Sequence, residues 1–315
     1  MSEAKKVAAI DIGTNSVLLV IAAAAPGGPR PLLERATITR MGEGVDQTRR
    51  LAPAAVERNL ACLRAYAEDL RAHGSPRLDV VGTSALRDAE GAEDFLNEAE
   101  RILGVRPRVI AGDEEARLTF HGALSGLSLS GTLLVFDVGG GSTELIVGDA
   151  SSSASASPQS RVSLDIGSVR LFERHLKSDP PAKSELLRAE EQIAEALAGA
   201  APLSRIAAGE PLTLVGVAGT LTTLKALELE LPAYDAERVH GSSLSLASVE
   251  ELFAKLSSLP LTERVKLPGL SPKRADVIVA GALIVRELLR RAGAKETLVS
   301  DRGVRFGLLE ALISA

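Results

Sequence analysis

The feature that most constrains this chain is a hairpin pattern that occurs twice. From Val7 to Ile21 the sequence reads V-A-A-I-D-I-G-T-N-S-V-L-L-V-I, and from Leu133 it reads L-L-V-F-D-V-G-G-G-S-T-E-L-I-V. Each copy has an apolar run ending in Asp, a turn of the form D-x-G-x-x-S and a second apolar run, which predicts a β-hairpin. Asp11 and Asp137 are 126 residues apart, about one domain length. The repeat therefore predicts two similar domains facing each other across a cleft.

The rest of the first half alternates between strand and helix patterns. A helix is predicted for Pro53–His73, a strand for Leu78–Gly82, a loop for Thr83–Asp88, a helix from about Gly91 to Gly104, a strand for Arg108–Ala111 and a helix from Glu114. Such alternation indicates an α/β fold with a partly parallel sheet. We expect this domain to cover residues 1–126, with a final helix of about 303–315 packing back on it, and a second domain to cover 127–302.

The second half repeats this plan with variations. Helices are predicted for about 182–200 and 249–257, and strands for 212–218 and 297–300. Ser271 followed by Pro272 predicts the N-cap and first turn of a helix that runs to about Arg291. Residues 151–160 (S-S-S-A-S-A-S-P-Q-S) are low in complexity and are expected to form a mobile hairpin tip.

Composition and charge narrow the class of protein. The 315 residues have a formal net charge of −5, which argues against a protein covered in positive charge for nucleic acid binding. Cys62 is the single cysteine, so an internal disulfide or a cysteine-cluster metal site is excluded. No apolar stretch approaches the roughly 18 residues that a membrane span needs. We expect a cytoplasmic protein that binds neither nucleic acid nor membrane.

Three glycine turns are candidates for phosphate binding, because backbone N–H groups in such turns converge on an anion without bulky side chains in the way. Two are the repeated hairpin turns, and the third follows a predicted strand in G-V-A-G-T. The candidate phosphate-binding residues are Gly13, Thr14, Asn15, Ser16, Gly139, Gly140, Gly141, Ser142, Thr143, Gly219 and Thr220. A similar D-I-G-S at Asp165–Ser168 is a weaker match, because only a short mixed run precedes it.

Carboxylates beside these turns are candidates for metal binding. Asp137 and Glu144 flank the second turn on two strands of one hairpin, and Asp11 precedes the first turn. Carboxylates next to phosphate turns commonly hold a hard divalent cation, so we predict a site for Mg²⁺ or another divalent cation. The alternative is that each carboxylate only satisfies backbone groups in its turn.

Two further groups of charged residues have both structural and functional interpretations. Glu114 and Glu115 open a predicted helix, where acidic residues complement the helix dipole, but one of them could act as a general base. Arg87 is either a solvated surface charge or a bidentate phosphate clamp. Basic residues that either are solvated or form a polyanion-binding rim are Arg264, Lys266, Lys273, Arg274, Arg302 and Arg305.

Taken together, these segments resemble the exopolyphosphatase/guanosine pentaphosphate phosphatase (Ppx/GppA) family of the actin-like superfamily. The resemblance extends over nearly the whole chain and rests on the two hairpin turns and six further segments. These are V-G-T-S-A-L-R-D (81–88), A-G-D-E-E-A-R-L (111–118), S-L-D-I-G-S-V-R-L (163–171), G-V-A-G-T (216–220), L-P-G-L-S-P-K-R-A-D (267–276) and S-D-R-G-V-R-F-G (300–307).

The resemblance implies two ribonuclease-H-like domains with a polyanion between them. It implies that Glu115 is the catalytic base, that Arg87 assists it, and that Asp137 and Glu144 bind the cation. The implied reaction is attack of water on the terminal phosphoryl group of inorganic polyphosphate with the help of Mg²⁺. The resemblance also implies a homodimer.

The sequence leaves the substrate open. Longer family members continue with a helical region that holds long polymers, whereas this sequence stops at Ala315, so we expect shorter polyphosphates as substrates. The alternatives are hydrolysis of guanosine pentaphosphate, a sugar or carboxylate kinase on the same fold, and a non-catalytic sensor of polyphosphate or alarmone. The E-E-A-R segment is not expected in the kinases.

Overall fold

The computed structural model describes residues 5–25, 28–150, 157–203 and 212–314. The chain divides into two compact units, unit 1 (residues 1–126 and 303–315) and unit 2 (residues 127–302). Most of the predicted hairpin tip, residues 151–156, lies outside the described residues. In the described part, no helix is both long and apolar enough to cross a membrane.

The secondary-structure elements alternate along the chain. The strands are β1 (Lys6–Ile12), β2 (Ser16–Ala25), β3 (Gly28–Ile38), β4 (Arg77–Gly82), β5 (Arg108–Val109), β6 (Thr132–Val138), β7 (Thr143–Asp149), β8 (Ser157–Leu164), β9 (Thr213–Val217), β10 (Ser242–Ser245) and β11 (Glu296–Val299). The helices are α1 (Val45–Thr48), α2 (Pro53–Ala72), α3 (Ser84–Asp88), α4 (Ala92–Leu103), α5 (Gly112–Leu124), α6 (Ser168–His175), α7 (Lys183–Ala198), α8 (Ala218–Glu228), α9 (Ala236–Val239), α10 (Leu246–Ser258), α11 (Leu261–Arg264), α12 (Ile278–Arg291) and α13 (Val304–Ser314).

Unit 1 is built on a five-stranded sheet in the order β3-β2-β1-β4-β5. β1 pairs antiparallel with β2 and parallel with β4, and β4 pairs parallel with β5. The carboxyl ends of β1, β4 and β5 therefore lie at one edge of the sheet, which is where α/β proteins bind ligands. The first glycine turn, α3 and α5 all begin at this edge, just after β1, β4 and β5.

Both faces of the unit 1 sheet are covered by helices. Ile10 and Ile12 of β1 pack with apolar residues of α2 and α4, and Val7 and Ala9 pack on the other face with α5 and α13. Helices α5 and α13 approach closely because glycines face each other: a Cβ on Gly122 would lie 1.9 Å from the carbonyl oxygen of Gly303. These contacts hold the C-terminal helix α13 against the sheet of unit 1, which carries the first glycine turn.

Unit 2 repeats this arrangement with one added strand. Its sheet has the order β10-β11-β9-β6-β7-β8, and β6, β9 and β11 are parallel to one another. If β1–β5 are matched with β6, β7, β8, β9 and β11, the strand order and every pairing direction agree. The internal repeat predicted from the two hairpins thus extends to the whole sheet of each unit.

Three local predictions are wrong. Residues Ser84–Asp88 form the short helix α3 rather than a loop, because the N–H groups of Leu86 and Arg87 both donate to the carbonyl of Thr83. Ser271 makes no side-chain cap, and the predicted helix is broken into a 3-10 turn at Pro272–Arg274 and helix α12 from Ile278. Helix α5 begins at Gly112, two residues before the predicted Glu114.

Candidate active site

The first glycine turn is closed and held by backbone hydrogen bonds within unit 1. The N–H of Gly13 donates to the carbonyl of Ser16 at 3.0 Å. The carbonyl of Thr14 accepts from Gly42, and the carbonyl of Asn15 accepts from Thr39 and Arg40. Because the Thr14 and Asn15 carbonyls point toward the segment after β3, the N–H groups of the same two peptides, those of Asn15 and Ser16, point the other way.

Unpaired polar atoms are buried beside this turn. Oδ1 of Asp11 and both polar atoms of the Asn15 side chain are buried, and none has a hydrogen-bond partner within the described residues. Buried polar groups in proteins are nearly always satisfied, so such a cluster indicates a place for a ligand, an ion or water. Burial and the neighbouring Glu115 raise the pKa of Asp11 to about 7, and Arg305 opposes this shift.

Glu115 is distinguished from its neighbour Glu114 by its surroundings. The Nη1 of Arg87 donates to Oε2 of Glu115 at 2.9 Å and to the carbonyl oxygen of Ile110 at 2.8 Å. The side chain of Glu115 is 13% exposed, whereas that of Glu114 is 34% exposed and pairs with Arg108. Burial raises the pKa of Glu115, and the hydrogen bond from Arg87 acts against this shift.

Nη1 of Arg87 is therefore held by two acceptors, and the other nitrogens of the guanidinium are further hydrogen-bond donors. Its Nε and Nη2 have no hydrogen-bond partner within the described residues, and the side chain is 29% exposed. A guanidinium held in this way can donate to a phosphate oxygen while it stays fixed beside the carboxylate.

The second glycine turn has the same closure as the first. The N–H of Gly139 donates to the carbonyl of Ser142 at 3.0 Å, as Gly13 does to Ser16. Thr143 donates its hydroxyl to the carbonyl of Ile166, which attaches the turn to the segment before α6. The segment D-I-G-S (Asp165–Ser168), whose sequence is a weak match to a phosphate motif, thus holds the second turn in place through this hydrogen bond.

Asp137 and Glu144 are direct cross-strand partners in the β6–β7 hairpin. Oε1 of Glu144 accepts hydrogen bonds from Ser142 Oγ at 2.6 Å and Ser163 Oγ at 2.9 Å, and the residue is buried. The equivalent position in the first hairpin, opposite Asp11, is Leu18. Only the second hairpin therefore carries a pair of carboxylates.

The carboxylates near the first two glycine turns are oxygen donors of the kind that a magnesium ion uses. No group of three or more His, Cys, Asp or Glu residues in the described ranges is arranged to hold a metal ion. Magnesium is usually bound by one or two carboxylates, with phosphate and water completing its coordination. The unpartnered Oδ1 of Asp11 and the Asp137–Glu144 pair are oxygen donors of this type.

The third turn has a left-handed residue and a close contact with Arg274, neither of which the sequence predicted. Ala218 has a φ of 68°, a left-handed conformation that is rare for residues other than glycine and is found at functional sites. A Cβ on Gly219 would lie 2.3 Å from both terminal nitrogens of Arg274, so the guanidinium lies directly against this glycine. Thr220 donates to the carbonyl of Val138 at 2.9 Å, which joins the third turn to β6.

The predicted basic rim does not form as one surface. Arg264 is buried and pairs with Asp179, while Arg305 is buried and pairs with Glu34. Arg274 lies on Gly219, and burial lowers its pKa to about 10, so it is still a cation at neutral pH. The spacing of cations along the chain gave no sign of these separate environments.

The sequence matches the profile of the Ppx/GppA phosphatase family over residues 20–314. The chain belongs to the Ppx/GppA phosphatase family.

Similar proteins include one named as an exopolyphosphatase and one named as a guanosine-5'-triphosphate,3'-diphosphate pyrophosphatase. Exopolyphosphatase 2 of Mycobacterium tuberculosis is 40% identical over 321 residues, which cover 98% of each chain. The guanosine-5'-triphosphate,3'-diphosphate pyrophosphatase of Aeromonas salmonicida is 31% identical over 97% of this chain and 59% of its own length.

Solved structures of Ppx/GppA proteins have the same fold. The family member from Aquifex aeolicus is 33% identical with a TM-score of 0.80, covering 99% of this chain and 98% of its own. An exopolyphosphatase from Cytophaga hutchinsonii is 25% identical with a TM-score of 0.87, covering 98% of each chain. The predicted family and the α/β fold are thereby confirmed, while the roles of the individual site residues stay predictions.

Proposed function

We propose that this Ppx/GppA protein is a phosphoanhydride hydrolase that releases terminal orthophosphate from inorganic polyphosphate. The observation that carries the proposal is the buried Glu115 held by Arg87 beside the first glycine turn. The 40% identity to an exopolyphosphatase over the full chain supports the same activity.

Glu115 serves as the general base in this mechanism. It accepts a proton from water, the water oxygen forms a bond to the terminal phosphorus, and the bridging P–O bond breaks, so that the shortened chain leaves as an anion. Burial gives Glu115 a raised pKa, which makes it a stronger base than an exposed carboxylate. Arg87 keeps the carboxylate ionised and orients it, and its remaining donors stabilise negative charge on the phosphoryl oxygens.

The glycine turns bind phosphate in this proposal. Within residues 13–16 of unit 1 and residues 139–143 and 219–220 of unit 2, the backbone N–H groups that do not close the turns would donate to phosphate oxygens. Asp137, Glu144 and Asp11 are the residues that would hold Mg²⁺, or another divalent cation, in the two units. The cation would neutralise phosphate charge when bound.

A second substrate is supported by the relatives. The pyrophosphatase from Aeromonas salmonicida, 31% identical to this chain, is named for guanosine-5'-triphosphate,3'-diphosphate. Removal of the 5'-terminal phosphate from this nucleotide requires the same attack of water on a terminal phosphoryl group. A protein that binds either compound without hydrolysing it is the non-catalytic alternative.

The deciding experiment measures phosphate release from polyphosphates of defined length and from guanosine pentaphosphate with one enzyme preparation and Mg²⁺. Faster turnover of short polyphosphate supports the main proposal, and faster turnover of guanosine pentaphosphate supports the second. Binding without turnover of either substrate, under any divalent cation, would support the non-catalytic alternative.

We further propose a cytoplasmic homodimer. The single cysteine, Cys62, is buried and forms no internal disulfide, as suits a reducing compartment. The dimer follows from the family resemblance alone, and light scattering on the purified protein tests it.

A further inference from the structure

Helix α6 binds the second glycine turn from the side opposite its N–H groups. The N–H of Ser168 donates to the carbonyl of Gly139 at 2.9 Å. The N–H groups of Val169 and Arg170 donate to the carbonyl of Gly140 at 2.9 and 3.1 Å. The first N–H groups of a helix have no partner within the helix. Here the carbonyls of the turn satisfy them.

Gly167 makes this close contact feasible. A Cβ at this position would lie 2.3 Å from the carbonyl oxygen of Gly140 and 2.5 Å from the carbonyl carbon of Gly141. Any side chain would therefore push the helix end away from the turn. The backbones of the two segments touch only because position 167 is glycine.

The remaining carbonyl of the turn is held by a side chain. Nε of Arg170 donates to the carbonyl oxygen of Gly141 at 2.6 Å, and the Arg170 side chain is only 11% exposed. Its ion pair with Asp165 is long, at 3.7 Å, and the Asp165 side chain is 86% exposed. Exposed pairs contribute little because solvent screens them, so of these two contacts the hydrogen bond to Gly141 is the stronger.

A peptide group points its C=O and N–H in opposite directions. With the carbonyls of Gly139, Gly140 and Gly141 directed toward α6 and Arg170, the N–H groups of Gly140, Gly141 and Ser142 point away from them. None of these three N–H groups has a hydrogen-bond partner within the described residues. Without a hydrogen bond on its carbonyl, the Gly141–Ser142 peptide would be free to rotate, since glycine accepts both signs of φ.

We propose that Arg170 is a positioning residue for phosphate binding: it fixes the Gly141–Ser142 peptide so that the Ser142 N–H donates to a phosphate oxygen. This inference rests on the proposed function only in that the second turn binds phosphate. Arg170 itself does not contact the substrate. It acts through the orientation of one peptide group.

The test compares Arg170→Ala and Arg170→Lys with Arg174→Ala, which removes an exposed arginine one turn further along the same helix. Calorimetric binding of tripolyphosphate and phosphate release from it are measured with Mg²⁺. We expect Arg170→Ala to raise both Kd and KM about tenfold, as for loss of one oriented hydrogen bond, with a smaller effect on kcat. Arg174→Ala leaves both constants within about twofold of the wild type.

Chemical rescue separates positioning from a general loss of structure. Guanidinium ion added at millimolar concentration should restore tripolyphosphate binding to Arg170→Ala, whereas ammonium should not, because only the planar cation reproduces the Nε donor. If Arg170→Ala does not fold, Arg170→Lys keeps the stem and the charge and should still bind more weakly than the wild type.

Unchanged tripolyphosphate binding in both Arg170 variants would overturn the inference, and so would an equal loss in Arg174→Ala. A wild-type protein that binds tripolyphosphate without hydrolysing it contradicts the proposed hydrolase alone. A wild-type protein that binds no tripolyphosphate contradicts both proposals.

Discussion

Arg87 and Glu115, 28 residues apart in the chain, are joined by a 2.9 Å hydrogen bond between Nη1 and Oε2. The contact exists because α3 follows β4 and α5 follows β5, and these strands are parallel neighbours. The same Nη1 also donates to the carbonyl of Ile110, just before α5, so the arginine is fixed at two points. A carboxylate that is mostly buried is thus kept beside a cation at the edge of the sheet where α/β proteins generally bind ligands.

Replacing Glu115 with Gln tests the general base. The amide oxygen can still accept the hydrogen bond from Arg87, so the fold should be retained, but the side chain can no longer take a proton from water. Phosphate release should fall by about 10²–10⁴-fold. Glu114→Gln is the matched control, because Glu114 is more exposed and pairs with Arg108. If Glu115→Gln were about as active as the wild type, Glu115 would not be the general base.

Removing Arg87 should change the pH dependence of activity. The hydrogen bond from Arg87 lowers the pKa of Glu115 against the effect of burial, so Arg87→Met leaves a pKa that is raised further. A base is inactive below its pKa, so the acidic limb of the kcat/KM profile should move to higher pH. At its plateau kcat/KM should also be roughly 10²-fold lower, because charge stabilisation is lost.

Arg101→Met is the control for Arg87→Met, since Arg101 is an exposed arginine of the same unit that pairs with Glu98 nearby on α4. Its pH profile should superimpose on that of the wild type. An acidic limb that stays in place in Arg87→Met would show that Arg87 does not influence the ionisation of the base.

Asp11 should make the metal-free protein less stable as the pH rises. Its pKa is 3.8 in the unfolded chain and about 7 in the folded protein, so the folded state binds the extra proton between these values. Stability therefore decreases from about pH 4 to pH 7 and is lowest above the folded pKa. Asp11→Asn removes this penalty and should raise the free energy of unfolding at pH 8 by roughly 2–4 kcal/mol, but much less at pH 4.

Thermal unfolding at pH 4 and pH 8 in the presence of EDTA measures this effect, with the exposed Asp94→Asn as control. Added Mg²⁺ should stabilise the wild type at pH 8 more than Asp11→Asn, if Asp11 is one of its ligands. Equal stabilisation of both proteins by Mg²⁺ would show that Asp11 is not a ligand of the metal ion.

Gly219→Ala tests the third turn. The new methyl group would lie 2.3 Å from the terminal nitrogens of Arg274, which are the flexible end of a side chain and can move aside. We therefore expect a small change in melting temperature but a rise in KM for polyphosphate of about tenfold, as the cation is displaced. Gly199→Ala is the control, because a Cβ at Gly199 meets nothing within 4 Å. Unchanged KM in Gly219→Ala would mean that Arg274 does not contribute to phosphate binding.

Local patterns in the sequence were sufficient to predict the two hairpins and most of the helices. Strands, tight turns and amphipathic helices depend on residues within a few positions of each other, as in D-I-G-T-N-S and in α2. Strand β3 was not predicted because Pro29 and Pro31 interrupt its strand pattern. Proline is tolerated there because β3 lies at the edge of the sheet, where a proline need not donate a hydrogen bond to a neighbouring strand. Helix α3 is too short to show a period.

The sequence by itself determined the repeat of the hairpins, the family and the residue types available for phosphate chemistry. Only the tertiary structure decided which of these residues work together. Glu115 differs from Glu114 because of its contact with Arg87, and Arg264 and Arg305 leave the predicted basic surface because they are buried against Asp179 and Glu34. Such contacts join residues far apart in the chain, so they depend on how the strands and helices pack and leave no mark in local spacing.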